Sequence, residues 1–331
     1  MIPPSDSQAD DWFGRRTILG QDRPVAQLIA LEERERIRVS VCLPALDEAA
    51  TIGLICTSID EDLVRPGVVD ELIVVDSGSE DDTRELASAA GAKVYTAEEI
   101  LPGIPAAPAR PGKGEAMWKS LAVATGDIVV WIDSDIRNFS TQFVTRLLWP
   151  LLEDPSLVMT KGFYERPLED ATDGAGTRDD RASLEGGRVT ELAARPLLGL
   201  LFPLLGHVIQ PLSGEYAMRR SAALEVPFVS GYGVDVALLI DVVARYGVDA
   251  LAQVDLGRRV HRNRDLLSLG RTSFQVMRAM LQRLQALGLV DLGGELPTSL
   301  TQFAGSDPLR GAANDLDMAV RPPMIEVEPP H

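Results

Sequence analysis

The stretch Asp127-Ile-Val-Val-Trp-Ile-Asp133-Ser-Asp135 joins an apolar run to two aspartates that are separated by one serine. The apolar run predicts a buried strand, and in an extended segment residues i and i+2 point to the same side. Asp133 and Asp135 are therefore expected to face one point beyond the carboxyl end of this strand, where open α/β sheets bind ligands. Paired carboxylates suit Mg²⁺ or Mn²⁺. The pattern favours an enzyme that holds a diphosphate through a divalent metal, and its alternative is a solvated acidic turn.

Strands and helices alternate around this stretch. Strands are predicted at residues 37–43, 71–76, 92–95 and 127–132, with helices between them. This order is typical of a mostly parallel sheet flanked by helices, with right-handed connections. Polar residues follow the strands at 44–48, 76–79 and 133–135. The sequence thus predicts an α/β, Rossmann-like fold in which three strand-to-helix junctions line one crevice.

Composition narrows the function classes. The chain has 331 residues, of which 45% are hydrophobic, enough for one large α/β domain with an appendage. A net charge of −17 argues against nucleic acid as a partner. We expect no membrane span, because each apolar run is too short or carries charge or proline, and the polar N-terminus does not resemble a signal peptide. Cys42 and Cys56 lack metal-ligand spacing, which favours buried thiols in a cytoplasmic protein.

Further motifs accompany the junctions. Pro-Ala-Leu-x-Glu follows the first strand, Val-Asp-Ser-Gly-Ser-x-Asp-x-Thr follows the second, and Gly-Lys-Gly-Glu-Ala precedes Asp-Ser-Asp. Together they resemble the GT-A nucleotide-sugar glycosyltransferases. Five other stretches narrow the resemblance: Arg110-Pro-Gly-Lys-Gly-Glu-Ala, Gly186-Gly-Arg-Val-Thr-Glu-Leu, Gln210-Pro-Leu-Ser-Gly-Glu-Tyr, Gly231-Tyr-Gly-Val-Asp and His261-Arg-Asn-Arg. Over residues 37–290 the chain is similar to the retaining glucosyl-3-phosphoglycerate and mannosyl-3-phosphoglycerate synthases of actinobacterial type.

The resemblance implies a GT-A fold that moves glucose or mannose from UDP-glucose or GDP-mannose to the C2 hydroxyl of 3-phosphoglycerate. It implies Mg²⁺ or Mn²⁺ as cofactor, held by Asp133, Asp135 and His261. Asp135, Lys113 and Asp235 are the expected catalytic residues. The residues expected to bind the nucleotide or donor sugar are Pro44, Ala45, Leu46, Glu48, Ser77, Lys113, Asp133, Ser134, Tyr232 and Asp235. Gly187, Arg188, Thr190 and Asn263 are expected to bind the acceptor.

Two positions depart from the pattern of the resemblance. Asp47 stands where relatives often carry Asn, and Asp235 stands where they often carry Glu. Both differences are expected to bear on contacts with the donor. The sequence therefore leaves open whether the donor sugar is glucose or mannose and whether the nucleotide is UDP or GDP.

The sequence divides into five predicted segments. They are an N-terminal arm (1–36), a nucleotide-sugar-binding half (37–155), an acceptor-binding half (156–264), a C-terminal helix that contacts a second subunit (265–292) and a loosely ordered tail (293–331). The expected assembly is a homodimer, and the expected role is the synthesis of compatible solutes or polysaccharide primers. The competing hypotheses are a polyprenyl-phosphate sugar transferase, a nucleotidyltransferase and a non-catalytic nucleotide-sugar-binding protein.

Overall fold

The computed structural model describes residues 6–20, 22–104, 112–165, 187–260, 265–304 and 310–327. The helices are α1 (Asp6–Arg16), α2 (Val25–Glu35), α3 (Ile52–Ile59), α4 (Thr83–Ala89), α5 (Lys113–Val123), α6 (Gln142–Glu153), α7 (Arg195–Leu201), α8 (Arg220–Ala223), α9 (Val234–Tyr246) and α10 (Leu266–Ala286). Short π-helical turns lie at Asp60–Val64 and Thr190–Ala194, and 3₁₀ turns lie at Pro203–His207, Val248–Ala250 and Met324–Glu326.

The strands are β1 (Thr17–Ile18), β2 (Val39–Ala45), β3 (Glu71–Asp76), β4 (Lys93–Thr96), β5 (Ile128–Trp131), β6 (Met159–Glu165), β7 (Tyr216–Arg219), β8 (Phe228–Val229), β9 (Leu251–Arg258), β10 (Ser299–Ala304), β11 (Arg310–Asp315) and β12 (Val320–Arg321). Eight of them form one sheet in the order β1-β9-β6-β7-β5-β2-β3-β4. Only β7 runs antiparallel to its neighbours in this sheet.

The central strands are buried on both faces. Every residue of β3 and of β5 is buried, as expected of parallel strands that have helices above and below them. Two hydrophobic clusters lie on the two sides of the sheet. The prediction of a mostly parallel sheet flanked by helices is confirmed, and the sheet places the carboxyl ends of β2, β3 and β5 side by side.

The apolar segment 189–205 differs in one respect from its prediction. We expect its helical stretches to be broken at Pro196 and Pro203. The structure instead runs the π turn Thr190–Ala194 directly into α7, with the Arg195 N–H bonded to the carbonyl of Thr190, so Pro196 lies inside a continuous helical stretch. Pro203 does end the helix and opens a 3₁₀ turn.

The N-terminal arm is part of the packed structure. Its strand β1 pairs in parallel with β9. Trp12 is fully buried, and its indole N–H donates a hydrogen bond of 3.0 Å to the carbonyl of Leu251. The arm therefore extends the sheet beyond β9.

The C-terminal tail is more ordered than the Gly, Pro and Asp content of residues 293–331 predicts. Strands β10 and β11 form an antiparallel hairpin, and β12 pairs with β8. Met318 and Met324 are buried. The order of these described residues comes from contacts with distant parts of the chain, which local composition does not report.

No helix in the described ranges is long and apolar enough to cross a membrane. The acidic, glycine-rich segment 169–187, for which a mobile loop is predicted, falls outside the described residues except for Gly187. The other segment boundaries remain predictions from the sequence.

Candidate active site

The three polar junctions predicted from the sequence are joined to one another at one edge of the sheet. The Ser134 hydroxyl donates to the carbonyl of Pro44 at 2.6 Å, and the Ser134 carbonyl accepts from the Thr51 hydroxyl at 2.5 Å. The Ser77 N–H donates to the carbonyl of Ala45 at 2.9 Å. The junctions after β2, β3 and β5 therefore form one continuous rim.

Asp47 has a local backbone role in this rim. Its φ of 55° lies in the left-handed region, which Asp and Asn tolerate better than most residues. Its Oδ1 accepts from the N–H of Glu80 at 2.8 Å, and its own N–H donates to the Ser79 hydroxyl at 2.9 Å. The Asp47 carboxylate is thus tied to the neighbouring junction, a bond that the amide oxygen of Asn would also make.

One lysine connects two motifs that are distant in sequence. Lys113 is the first residue of α5, and Asp235 is the second residue of α9. The Lys113 ammonium lies 2.8 Å from Asp133 Oδ1 and 3.0 Å from Asp235 Oδ1. The Lys113 and Asp235 side chains are only 12% and 7% exposed. The glycines that flank Lys113 and the turn before Asp235 therefore serve one buried ion-pair cluster.

A buried arginine occupies the point that the paired aspartates face. Arg259 Nη2 lies 2.6 Å from Asp135 Oδ1 and 3.1 Å from Asp133 Oδ2. Arg259 Nη1 lies 2.8 Å from Glu215 Oε1 and 2.7 Å from the Tyr164 hydroxyl. The two aspartates converge on one nitrogen, although β5 ends at Trp131 and Ser134 and Asp135 lie in a turn rather than in an extended segment.

A second buried cation lies beneath this cluster. Lys161, on β6, is 1% exposed, and its ammonium donates to the carbonyl of Ser213 at 2.8 Å. The ammonium also lies 4.6 Å from the centroid of the Tyr216 ring. Burial lowers the pKa of Lys161 to about 8, although Asp235 acts in the opposite direction. Lys161 therefore loses its proton more easily than an ordinary lysine does.

The ionisation states of the cluster follow from burial and from the ion pairs. Burial disfavours the Lys113 ammonium, but Asp133 and Asp235 outweigh it and raise the pKa of Lys113. Burial also disfavours the Asp133 carboxylate, but Lys113 and Arg259 outweigh it and lower the pKa of Asp133. Burial raises the pKa of Asp235, and Lys113 offsets this only in part. Asp235 is therefore the more easily protonated of the two carboxylates that share Lys113.

Two glycines permit the close approach of these elements. A Cβ at Gly214 would lie 2.2 Å from both carboxylate oxygens of Asp133. A Cβ at Gly114 would lie 1.8 Å from the carbonyl oxygen of Val229. Both distances are far below van der Waals contact, so side chains at these positions would displace Asp133 or the start of α5.

Several charged residues of the cluster have no role in the sequence-based hypothesis. Arg259, Glu215 and Lys161 are among them, although the first two lie within or beside the quoted motifs. The sequence does indicate a buried polar site at Lys161, because a lysine inside a buried strand requires hydrogen-bond acceptors nearby. Glu215, directly before β7, is 0% exposed and offers the same kind of signal.

The predicted acceptor residues lie on a different segment. Gly187 has a φ of 118°, a conformation that favours glycine, and its carbonyl accepts from the N–H of Glu191 at 2.9 Å. Thr190 is 6% exposed, and Val189 packs into the same core as Tyr216. Asn263 lies outside the described residues.

The predicted metal site is described only in part. Within the described residues, no group of three His, Cys, Asp or Glu side chains is close enough to hold a metal ion. His261, the third predicted ligand, falls outside them. The preceding residue, Val260, receives a 3.3 Å hydrogen bond from Arg137 N–H at its carbonyl and donates at 2.7 Å to Asn138 Oδ1. Val260, the last described residue before this gap, thus lies beside the segment that follows Asp135.

The two predicted ligands that the structure describes, Asp133 and Asp135, are oxygen donors of the kind that a hard divalent cation prefers. Asp133, Asp135, Asp235 and Glu215 bring four carboxylates against the three cations Lys113, Arg259 and Lys161. Carboxylate oxygens with an excess of negative charge are typical ligands of Mg²⁺ and Mn²⁺. Asp135 is the most exposed carboxylate of the predicted pair, at 29% against 22% for Asp133. Asp135 is accordingly the better placed of the two to bind an ion.

Comparison with known proteins places the chain among sugar transferases. The family model described as glycosyl transferase family 2 matches residues 40–225. Glucosyl-3-phosphoglycerate synthase from Mycolicibacterium paratuberculosis is 47% identical over 97% of this chain and 93% of the relative. The protein of the same name from Petrotoga mobilis is 40% identical over 92% of this chain and 91% of the relative.

Solved structures agree with these sequence matches. The crystal structure of mannosyl-3-phosphoglycerate synthase from Rubrobacter xylanophilus superposes with a TM-score of 0.86, is 35% identical, and covers 96% of this chain and 99% of its own. Glucosyl-3-phosphoglycerate synthase from Mycobacterium tuberculosis, in complex with Mn²⁺, UDP and phosphoglyceric acid, superposes with a TM-score of 0.79. It is 44% identical and covers 94% of this chain and 99% of its own.

Proposed function

The chain belongs to glycosyl transferase family 2 and, within it, to the glucosyl-3-phosphoglycerate and mannosyl-3-phosphoglycerate synthases, and from this premise we propose that it is a retaining, metal-dependent hexosyltransferase. It moves a hexose from a nucleotide-sugar to the C2 hydroxyl of 3-phosphoglycerate. The product is glucosyl- or mannosyl-3-phosphoglycerate. The donor is UDP-glucose or GDP-mannose, and the experiment below distinguishes the two.

One observation carries this proposal. Lys113 lies between Asp133, beyond the end of β5, and Asp235, at the start of α9. This arrangement puts a largely buried cation between one half-buried and one buried carboxylate, at the sheet edge where α/β proteins bind nucleotides. A related enzyme of this fold binds Mn²⁺, UDP and phosphoglyceric acid, which are the metal, the nucleotide and the acceptor that such a cluster suits.

The junctions after β2 and β3 supply the proposed nucleoside site. Leu46 is 40% exposed and offers an apolar surface to a base, while Glu48 is held by a 2.8 Å hydrogen bond from its N–H to Thr83 Oγ1. The residues assigned to the nucleotide are Pro44, Ala45, Leu46, Glu48, Ser77, Asp133 and Ser134. Ser134 acts through its hydrogen bond to Pro44, which fixes the two loops against each other.

The donor hexose is assigned to the other side of the cluster. Lys113 and Asp235 offer an ammonium and a carboxylate to the sugar hydroxyls, and Tyr232, at 40% exposure, stands in the turn before Asp235. The Tyr232 N–H donates to Gln275 Oε1 at 3.1 Å, which ties this turn to α10. Hydrogen bonds between the sugar hydroxyls and Lys113 or Asp235 would be stronger than neutral ones, because one partner is charged.

The metal is assigned to Asp133, Asp135 and His261. Related structures contain Mn²⁺ or Mg²⁺ together with UDP. When bound, such an ion supplies positive charge that neutralises the departing nucleotide diphosphate. Arg259 orients both aspartates and, with Lys113, holds Asp133 ionised.

The acceptor is assigned to Gly187, Arg188, Thr190 and Asn263. 3-Phosphoglycerate carries a phosphate and a carboxylate, so a chain of net charge −17 must hold it with fixed cations and N–H groups. A guanidinium and a hydroxyl next to the turn at Gly187 provide that chemistry.

Retention follows most simply from a front-side path. The C2 hydroxyl approaches the anomeric carbon on the face that the nucleotide leaves, and a phosphate oxygen of the donor takes the proton. Each of Asp133, Asp135, Asp235 and Glu215 is held in an ion pair, which makes a double displacement through one of these carboxylates unfavourable. Positioning and fixed charge then supply most of the acceleration.

A panel of donors and acceptors tests the proposal. UDP-glucose and GDP-mannose are each incubated with 3-phosphoglycerate or with a polyprenyl phosphate, with metal and with a chelator, and the product is followed by mass spectrometry. A hexosylated phosphoglycerate that forms only with metal supports the proposal. Transfer to the lipid phosphate, or nucleotide-sugar binding without turnover, would contradict it. The homodimer and the cytoplasmic location remain predictions from the sequence.

A further inference from the structure

Residues 317–322 of the C-terminal tail, here called the strap, lie across the loop that leads to Asp235. Val320 and Arg321 of the strap pair with Val229 and Phe228 of β8. The strap then continues this pairing past the end of the strand. The Ser230 N–H donates to the carbonyl of Ala319 at 2.9 Å, and the Ala319 N–H donates to the Ser230 hydroxyl at 3.0 Å.

Ser230 also contacts the start of α5. Its carbonyl accepts from the N–H of Glu115 at 3.0 Å, and a Cβ at Gly112 would lie 2.7 Å from that same oxygen. The strap, the loop at 230–233 and the first turn of α5 are therefore one hydrogen-bonded unit. Lys113 lies in that turn, and Asp235 follows that loop.

A buried ion pair secures the strap to α5. Arg321 Nε and Nη2 donate to Glu115 Oε2 and Oε1 at 2.7 and 2.8 Å, and the two side chains are 9% and 2% exposed. The Arg321 guanidinium also lies 5.4 Å from the centroid of the Trp118 ring. The Trp118 indole N–H donates to the carbonyl of Pro322 at 2.9 Å. The two parallel hydrogen bonds between Arg321 and Glu115 fix the relative orientation of the two side chains as well as their distance.

We propose that the strap is a positioning element of the active site and that Arg321, acting through Glu115, holds Lys113 in register with Asp235. This inference rests on the proposed function. Glu115 and Lys113 occupy the same helical turn, so a shift of Glu115 is transmitted directly to the ammonium. A displacement of about 1 Å at a reacting group can cost about 100-fold in rate. Arg321 is thus a positioning residue, and its loss should lower kcat.

The test combines kinetics with a matched control. The double variant Glu115→Gln/Arg321→Met removes both charges of the pair. Lys119, whose ammonium lies 3.8 Å from Glu115 Oε1, loses that carboxylate but keeps its hydrogen bond to the carbonyl of Ala97. The control, Asp241→Asn/Arg283→Met, removes another buried pair, 3.0 Å between Nε and Oδ2 with side chains 5% and 11% exposed, which joins α9 to α10. We expect the strap variant to lose about tenfold in kcat with little change in KM for 3-phosphoglycerate. The control should lose melting temperature but keep its kcat.

A gentler variant guards against misfolding. Ser230→Ala deletes only the hydroxyl that accepts from Ala319, and one hydrogen bond of this strength corresponds to about a threefold loss of kcat. Arg321→Lys keeps the charge but not the two-point geometry, so it should recover kcat only in part. The proposal would be overturned if kcat falls by the same factor per degree of lost melting temperature in the strap variant and in the control.

Amide hydrogen exchange separates this inference from the proposed function. The N–H groups of Glu115 and Ser230 are bonded across the unit, so the strap variant should exchange faster in peptides that span 112–118 and 228–235. Unchanged exchange in these peptides overturns the inference, whether or not the protein transfers a hexose. Faster exchange with wild-type kcat overturns it as well. Absence of transfer to 3-phosphoglycerate by the wild-type protein instead overturns the proposed function, and exchange alone then decides the inference.

Discussion

Replacing Lys113 by methionine tests how the active-site charges are balanced. The Lys113 ammonium lies 2.8 Å from Asp133 and 3.0 Å from Asp235, and it is nearly buried. Removing one partner from a buried ion pair costs about 3–5 kcal/mol, because a charge is left without compensation. Asp133 keeps Arg259 at 3.1 Å, so most of this cost should fall on Asp235.

The double variant Lys113→Met/Asp235→Asn separates stability from catalysis. Asn is close in shape to Asp but carries no charge, so the double variant should recover about half or more of the lost stability. Activity should not return. Loss of a charged group aimed at the reacting substrate lowers turnover by about 100-fold or more. Urea unfolding and steady-state hexose transfer measure the two effects on the same samples.

The same substitution at Lys93 is the matched control. Lys93 also pairs with a carboxylate at 3.0 Å, that of Glu71, but its side chain is 58% exposed. The Glu71 carboxylate is buried but keeps its hydrogen bonds from the Ser40 hydroxyl and the Thr125 N–H when the solvent-exposed ammonium is removed. Lys93→Met should therefore cost about 1 kcal/mol or less and keep nearly full activity. The reasoning is refuted if Lys113→Met resembles Lys93→Met, or if the double variant is no more stable than Lys113→Met.

Three further predictions concern other parts of the molecule. Gly214→Ala places a methyl group 2.2 Å from both Asp133 oxygens and should cost about 1–3 kcal/mol, measured by thermal unfolding, together with most of the activity. Asp135→Ala should keep the fold by circular dichroism but lose about 100-fold in turnover, and added Mn²⁺ should not restore it. Burial disfavours the Glu71 carboxylate, but hydrogen bonds, first among them that from Thr125 N–H, lower its pKa from 4.5 to about 2. The stability that the ionised carboxylate contributes is therefore present above pH 4.5 and is lost toward pH 2. Glu71→Gln should unfold more easily than the wild type at neutral pH only, and an equal loss of stability in acid would contradict this.

Much of the sheet and part of the site could be predicted because their signals are local. The apolar run before Asp133 indicates a strand, which the structure has at Ile128–Trp131, and Asp133 and Asp135 stay close together in the turn that follows it. Both side chains do reach the same nitrogen of Arg259. Lys113 could be identified because glycines on both sides open a helix there.

The partners of these residues could not be predicted in the same way. Arg259 and Asp135 are 124 positions apart, and Lys113 and Asp235 are 122 apart. Periodicity gives no information on which charges meet across such distances, since that depends on the order of the strands. The order of the tail is not predictable from its composition for a related reason, because it depends on a bond between Arg321 and Glu115, 206 positions apart.

Both borders of the eight-stranded sheet are short, and this bears on how the protein behaves at high concentration. One border is the two-residue strand β1, which leaves little backbone free to bond to another chain. The other is β4, where the charged Lys93 stands at the first position. Both are devices that discourage sheet-to-sheet aggregation. Shortening the N-terminal arm to simplify expression would uncover the eight-residue strand β9 and invite the fibrous association that this arrangement opposes.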